Sequence, residues 1–284
     1  RDRSVIIGPR SSAPWMPSLA ELRPGPSSSF NRRQPARRWQ RWAPLVKLGG
    51  HQQPGSFVVD HGVEAEGAAM KVSVVPVTPF QQNCSIVWCG ATGKGAVVDP
   101  GGDVASIYET VQRTGAEIDM VLITHGHLDH ASATRVVAEH FRVPIVGPHR
   151  DDAFLISQLR EQGRQFGLAE ADTFEPDRWL DDGDTVALGQ LELQVIHCPG
   201  HTPGHVVFYE PESRFALVGD VIFNGSVGRT DLPRGSFEQL AYCIRRKLFP
   251  LGDEVTFLPG HGSTSTFGWE RKCNPFVADL AFDD

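Results

Sequence analysis

Residues 120–130 read MVLITHGHLDH. The apolar run that opens this stretch is continuous, as in a strand buried on both faces. Four side chains of metal-ligand type, His125, His127, Asp129 and His130, follow within six residues. Imidazole and carboxylate suit zinc, iron or manganese. On an extended backbone His125 and His127 point the same way. Asp129 and His130 lie where the chain turns into a helix and face a second position. Junctions of strand and helix commonly carry ligand-binding loops. A chance polar loop rarely collects four such residues directly behind a buried strand, so the pattern predicts a metal centre.

Three later segments have the same form, an apolar run ending in a ligand-type residue. HCPGHTPGH at 197–205 offers His197, His201 and His205; LVGD at 217–220 offers Asp220; FLPGHG at 257–262 offers His261. Pro and Gly around His201 and His261 permit sharp turns, which would let all these positions converge at one edge of the fold.

Outward from the histidine cluster, apolar periodicity predicts strands at 71–77, 83–89, 94–98, 120–124 and 143–147. It predicts helices at 103–115, 129–141 and 151–162. Beyond a loop at 165–182, strands are expected at 185–188, 190–197, 205–209, 214–219 and 255–259, with a helix at 236–248. Two similar groups of strands, each with its helices, suggest two sheets packed face to face with helices outside.

HGHLDH, PGHTPGH, VGD and PGHG, in this order, resemble the metallo-β-lactamase superfamily. GRTDLPRGS at 228–236 and NPF at 274–276 resemble the small bacterial members of its glyoxalase II (hydroxyacylglutathione hydrolase) branch. The resemblance covers residues 70–284 and implies an α/β fold, a four-layer αββα sandwich. It implies two divalent metal ions, zinc first with iron or manganese as alternatives. His125, His127 and His201 would bind one, Asp129, His130 and His261 the other, and Asp220 would bridge them. His197 and His205 fall outside that set and read as structural residues or as supports for ligands. The larger enzymes of the branch carry a further C-terminal helical substrate domain. Only residues 262–284 follow His261 here, so that domain is expected to be absent.

The implied chemistry is hydrolysis of a thioester such as S-lactoylglutathione. Two metals would lower the pKa of water toward ~7 and leave hydroxide available to attack the carbonyl, with Asp129 and Asp220 as the catalytic carboxylates. A thiolate whose acid has a pKa near ~8.5 departs without a strong general acid. Arg229 is the candidate for a substrate carboxylate, with a surface ion pair as the alternative. Rival readings are a mononuclear iron persulfide dioxygenase, a lactone or phosphodiester hydrolase on the same site, and a metal-binding module without turnover. The first rival does not keep the whole second ligand set, which is complete here.

The five cysteines, Cys84, Cys89, Cys198, Cys243 and Cys273, are odd in number and contain no C-x-x-C pair, so they form no disulfide framework. Cys198 lies beside His197, yet adjacency in sequence does not make a nucleophile and base, and a place in the core is favoured. No apolar run approaches the ~18–20 residues of a membrane span.

Net charge is −7 over 284 residues, distributed as +5 over residues 1–69 and −12 over 70–284. An acidic catalytic region argues against nucleic acid as a partner and leaves a small molecule. Residues 1–69 are rich in Pro, Ser, Gly and Arg, and are expected not to bury enough apolar surface to offset their ordering entropy. They read as an upstream extension before Met70, a transit peptide or a basic tail. The expected location is cytoplasmic, or organellar if they are a transit peptide.

Overall fold

The computed structural model describes Ser56–Phe57 and residues 69–279. The reading of residues 1–69 as a leader therefore falls outside the described residues, apart from Ser56–Phe57 and Ala69.

The first sheet has six strands in chain order: β1 (Ser56–Phe57), β2 (Met70–Val77), β3 (Gln82–Cys89), β4 (Lys94–Val98), β5 (Glu117–Leu122) and β6 (Ile145–Val146). Strands β1 to β4 pair antiparallel. Helix α1 (Val104–Thr114) returns the chain so that β5 pairs parallel to β4. Helices α2 (Leu128–Ala131) and α3 (Thr134–Phe141) do the same for β6. A parallel pair needs such a crossover, whereas an antiparallel one needs only a turn.

After α4 (Ala153–Ile156) and α5 (Leu159–Phe166) come β7 (Thr185–Leu188), β8 (Leu191–His197), β9 (Val206–Glu210) and β10 (Phe215–Gly219). A hairpin, β11 (Ile222–Phe223) and β12 (Ser226–Val227), precedes α6 (Phe237–Cys243), which continues into a π-helical turn at Ile244–Leu248. Then follow β13 (Thr256–Pro259), β14 (Ser265–Thr266) and α7 (Phe267–Cys273). The second sheet runs β14-β13-β10-β9-β8-β7, with β10 and β13 parallel.

Three apolar layers separate four structural ones. Met70, Val72, Leu122, Leu193, Val195, Phe208, Phe215 and Leu258 fill the space between the sheets. Ile86, Val97, Ile107, Val121, Val137 and Leu159 join the first sheet to α1–α5. Val207, Val218, Leu240, Ile244, Phe257 and Phe267 join the second sheet to α6 and α7. Strand β8 alternates, with Leu191, Leu193 and Val195 buried and Glu192 and Gln194 exposed, while β9 and β10 are buried throughout. Helices thus cover the centre of the second sheet and leave one face of its edge to solvent. This is the αββα sandwich.

The expected helix at 129–141 is broken. The Ser132 hydroxyl donates to the Leu128 carbonyl, and the Ala133 amide donates to Pro100 O (2.9 Å). That amide ties the crossover to the end of β4 and restarts the helix at Thr134. The expected helix at 151–162 likewise divides, at Ser157–Gln158. The structure adds the hairpin β11–β12, strand β14 and helix α7 to the elements that periodicity predicts. Among the described residues no helix is long and apolar enough to cross a membrane.

Candidate metal centre

The chain leaves β5, β8, β10 and β13 at one edge of the sandwich, where backbone hydrogen bonds stitch the sheets together: Asn83 N–H donates to Gly260 O (2.7 Å) and Val206 N–H to Thr124 O (2.8 Å). Within the second sheet, Gly260 N–H donates to Gly219 O (2.8 Å) and extends the β10–β13 pairing. The connections carrying His125–His130, His201, Asp220 and His261 meet there.

All seven side chains singled out as ligands face one another. His125 Nε2 lies 3.1 Å from His127 Nδ1, and these two form with His201 one group able to hold an ion. Asp129, His130 and His261 form a second, with His261 Nε2 3.1 Å and His130 Nε2 3.9 Å from Asp129 Oδ2. Asp220 touches both: Oδ1 lies 3.3 Å from His130 Nε2, and Oδ2 lies 3.6 Å from His201 Nε2 and 3.7 Å from His261 Nε2.

Four of the histidines have their tautomer set from behind. The His125 Nδ1–H donates to Thr124 Oγ1 (3.0 Å), and that hydroxyl donates to Asp99 Oδ2 (2.6 Å). The His130 Nδ1–H donates to the same Asp99 oxygen (3.0 Å). The Nδ1–H of His201 donates to Arg229 O (2.8 Å) and that of His261 to Phe80 O (3.2 Å). Each ring then has its Nε2 turned toward the centre, the arrangement that outer partners impose on metal-binding imidazoles. His130 Nε2, His201 Nε2 and Asp220 Oδ1 are buried without any hydrogen-bond partner. Orphaned buried polar atoms are costly, and three aimed at one point fit a divalent cation.

The electrostatics agree with that fit. Burial draws the His127 imidazole down to about 3 and holds His125 and His201 below their ordinary value, so all three are neutral donors. Burial would raise the Asp220 carboxyl, but His130, His201 and His261 hold it far below the usual range, so it is ionised. Burial is likewise overcome at His130, where Asp220 and Asp129 pull the imidazole up. Asp129 and His261 are 23% and 29% exposed at the side chain and His127 is partly exposed, whereas His130 is 0%, so the centre opens to solvent past these three side chains. Phe80 and Phe223 stand on that rim, Phe223 with its ring 6.3 Å from that of His261.

Arg229 presents its backbone carbonyl to His201, while its half-exposed guanidinium makes a bidentate pair with Asp231 (2.8 and 2.7 Å). His205 is not aimed at the centre. Its Nε2 accepts the Asp220 N–H (3.0 Å) and so holds the backbone of that carboxylate. His197 lies further off, donating from Nε2 to Pro203 O (2.8 Å) and stacked on His149 at 4.2 Å. Cys84, Cys89, Cys198 and Cys243 are buried and Cys273 is exposed. Cys198 contacts Cys243, and burial keeps its thiol protonated. Asn274 is buried, bonded to Ser226 O (3.0 Å) and Glu270 (2.8 Å), and ties α7 to the β11–β12 hairpin. Arg271 pairs with Asp253 (3.0 Å).

Three supporting residues escaped the sequence reading. Asp99, at the end of β4, has the same form of an apolar strand ending in a carboxylate, and that signal was there to find. It accepts from Thr124 N–H (2.7 Å), Thr124 Oγ1 and His130 Nδ1. Thr124 and the buried Asp152 had no such signal.

A model of the metallo-beta-lactamase superfamily matches residues 77–261. A hydroxyacylglutathione hydrolase, GloC, of Haemophilus influenzae is 43% identical over 209 residues, which are 73% of this chain and 98% of that protein. Among solved structures, a B3 metallo-beta-lactamase, BLEG-1, is 30% identical with a TM-score of 0.66, over 72% of this chain and 99% of the other. TTHA1623, solved in a di-iron-bound form, is 36% identical with a TM-score of 0.65, again over 72% of this chain and 99% of the other.

Proposed function

The chain belongs to the metallo-beta-lactamase superfamily, and from that membership we propose that it is a hydrolase of S-acylglutathione-type thioesters that works with two divalent ions. His125, His127 and His201 would hold one ion, Asp129, His130 and His261 the other, and Asp220 would serve both. The observation that carries this is the convergence of two donor groups on one carboxylate, with three buried donor atoms left without partners. Zinc, iron and manganese all suit these donors, and the relative at 36% identity holds two irons.

Bound there, the ions supply Lewis acidity that lowers the pKa of water toward ~7 and polarises a carbonyl. The remaining chemistry belongs to the chain. Water is the nucleophile, and its proton leaves toward solvent past Asp129, the more exposed carboxylate of the centre. Oxygen adds to the thioester carbonyl carbon, the C–S bond breaks, and the thiolate leaves without needing a proton because its acid pKa is near ~8.5. An amide would need its nitrogen protonated on departure, a demand that a thioester does not make. Arg229 takes a substrate carboxylate. Its pair with Asp231 is solvent-exposed and worth only about 0–1 kcal/mol, so a substrate anion can replace Asp231.

The 43%-identical relative bears the name hydroxyacylglutathione hydrolase, which supports a small-molecule thioester over other substrates. A panel of S-D-lactoylglutathione, a simple lactone, a phosphodiester and a β-lactam tests the choice. Preference for the thioester by at least about a hundredfold in kcat/KM is expected. Preference for any other member would overturn the thioester assignment and leave the hydrolase class intact.

A further inference from the structure

Asp152 is fully buried, 0% exposed, in the 3-10 turn that precedes α4, and the chemistry above does not use it. Its carboxylate accepts three hydrogen bonds: Gly126 N–H to Oδ2 (2.8 Å), Thr202 Oγ1–H to Oδ2 (2.8 Å) and Gly204 N–H to Oδ1 (2.6 Å). Gly126 lies between His125 and His127. Thr202 follows His201, and Gly204 precedes His205, which holds the Asp220 amide. The donors come from two loops, one on each sheet, separated by more than seventy residues of chain.

We infer that Asp152 is the positioning residue of the three-histidine group: its carboxylate couples the loop bearing His125 and His127 to the loop bearing His201, and so sets their separation. It reaches none of Asp129, His130 and His261.

Two features argue against an ordinary structural hydrogen bond. First, the donors are two amides and a hydroxyl, none of them charged, so an ionised carboxylate sits buried at considerable expense in desolvation. Burial pushes the Asp152 carboxyl up to about 6 despite all three bonds. That charge is held by the two loops that carry His125, His127 and His201. Second, a carboxylate is the side chain that accepts from three converging donors while presenting none. The site is built to its dimensions: a Cβ on Gly204 would stand 2.7 Å from the Asp152 Cγ and 2.5 Å from its amide nitrogen. Asp99, by contrast, serves both groups, bonding His130 directly and His125 through Thr124.

The inference rests on the two-ion reading, so the test separates them. Stepwise uptake of Zn2+ by the apo full-length chain is measured by competition with a chromophoric chelator, for wild type, Asp152→Asn and Thr202→Val. His127→Ala and His261→Ala identify which ion belongs to which group. Asparagine keeps the shape but turns an N–H toward donors. Wild type should take up two ions. Asp152→Asn should weaken the one lost in His127→Ala by about 10–100-fold, the range for outer partners of metal ligands, and leave the one lost in His261→Ala unchanged. Thr202→Val keeps the carboxylate and two of its donors, so it folds readily and should weaken the same ion by a smaller factor. Unchanged affinities, or an equal loss of both ions alongside a lowered Tm, would overturn the positioning role and leave the two-ion reading standing. A wild-type chain that binds no ion through His127 would overturn both.

Discussion

The two sheets contribute to the centre in different ways. The first supplies four ligand-type residues from a single connection, His125 to His130, directly behind β5. The second supplies His201, Asp220 and His261 from three connections, behind β8, β10 and β13. The first set is nearly preassembled by local geometry, because its members are neighbours in the chain. The second exists only after β10 and β13 have paired and Gly260 has bonded to Gly219. Both halves serve both ligand groups, but Asp220, from the second, is the one of the seven side chains that touches both; its loss should spread across both groups, whereas the loss of a single histidine should be local to one.

Asp220→Ala gives the largest expected effect. The carboxylate lies within 3.7 Å of ligand nitrogens of both groups. Its loss should reduce uptake of both ions and lower kcat/KM at least about a thousandfold, or ~4 kcal/mol of transition-state stabilisation. His127→Ala, in the first half, should lose one ion and keep the other. If the two variants lose ions alike, the contrast between the carboxylate shared by both groups and a ligand of one group fails.

Gly260→Ala probes the second half without removing a ligand. A Cβ there would stand 2.2 Å from Asp220 Oδ1 and 2.5 Å from the His130 ring. The expected outcome is a folded chain, by circular dichroism, with ion uptake reduced about tenfold to a hundredfold, the scale of damage to a ligand's support. Normal uptake would mean that the edge yields more easily than the close contacts imply.

Arg229→Ala tests the substrate side. A charge-assisted hydrogen bond is worth about 1.5–3 kcal/mol, so KM for an anionic thioester should rise about tenfold or more with kcat little changed. A fall in kcat at constant KM would instead point to the Arg229 backbone bond to His201.

The smallest effect lies away from the centre, at His197. Burial, with help from His149 and Lys247, holds its imidazole below the ordinary value of 6.5, against the Pro203 carbonyl, which raises it. The unfolded chain then takes up this proton at a higher pH than the folded one. The contribution to stability is complete above pH 6.5 and is lost as pH falls from there toward the folded pKa. Denaturant titrations of His197→Gln should show a flatter fall in stability below pH 6.5 than wild type, with the two alike in slope above it.

The same contrast governs what could be read before the fold was known. HGHLDH is legible because its residues are adjacent and its strand is uniformly apolar. His201, Asp220 and His261 were legible as strand-end residues, but their convergence needed the parallel pairing of β10 and β13, which periodicity does not encode. Asp99 carried the same strand-end signal and was passed over, since a lone aspartate before Pro-Gly reads as a turn residue. Asp152 gave none: it sits in a charged-looking HRDD stretch where only burial distinguishes it from exposed Asp151. The break between α2 and α3 was hidden for a similar reason. Apolar spacing continues through Ser132–Ala133, and only the long-range bond to Pro100 reveals the stop.

Metal content and turnover measured on one sample test the proposed dinuclear thioester hydrolase most directly. The full-length chain, reconstituted with divalent metal and freed of excess, is assayed for bound ions per chain, hydrolysis of S-D-lactoylglutathione and oxygen uptake with glutathione persulfide. Two ions per chain, thioester hydrolysis abolished by chelation and restored by metal, and no oxygen uptake are predicted. One iron per chain with oxygen consumed and the thioester untouched would contradict it.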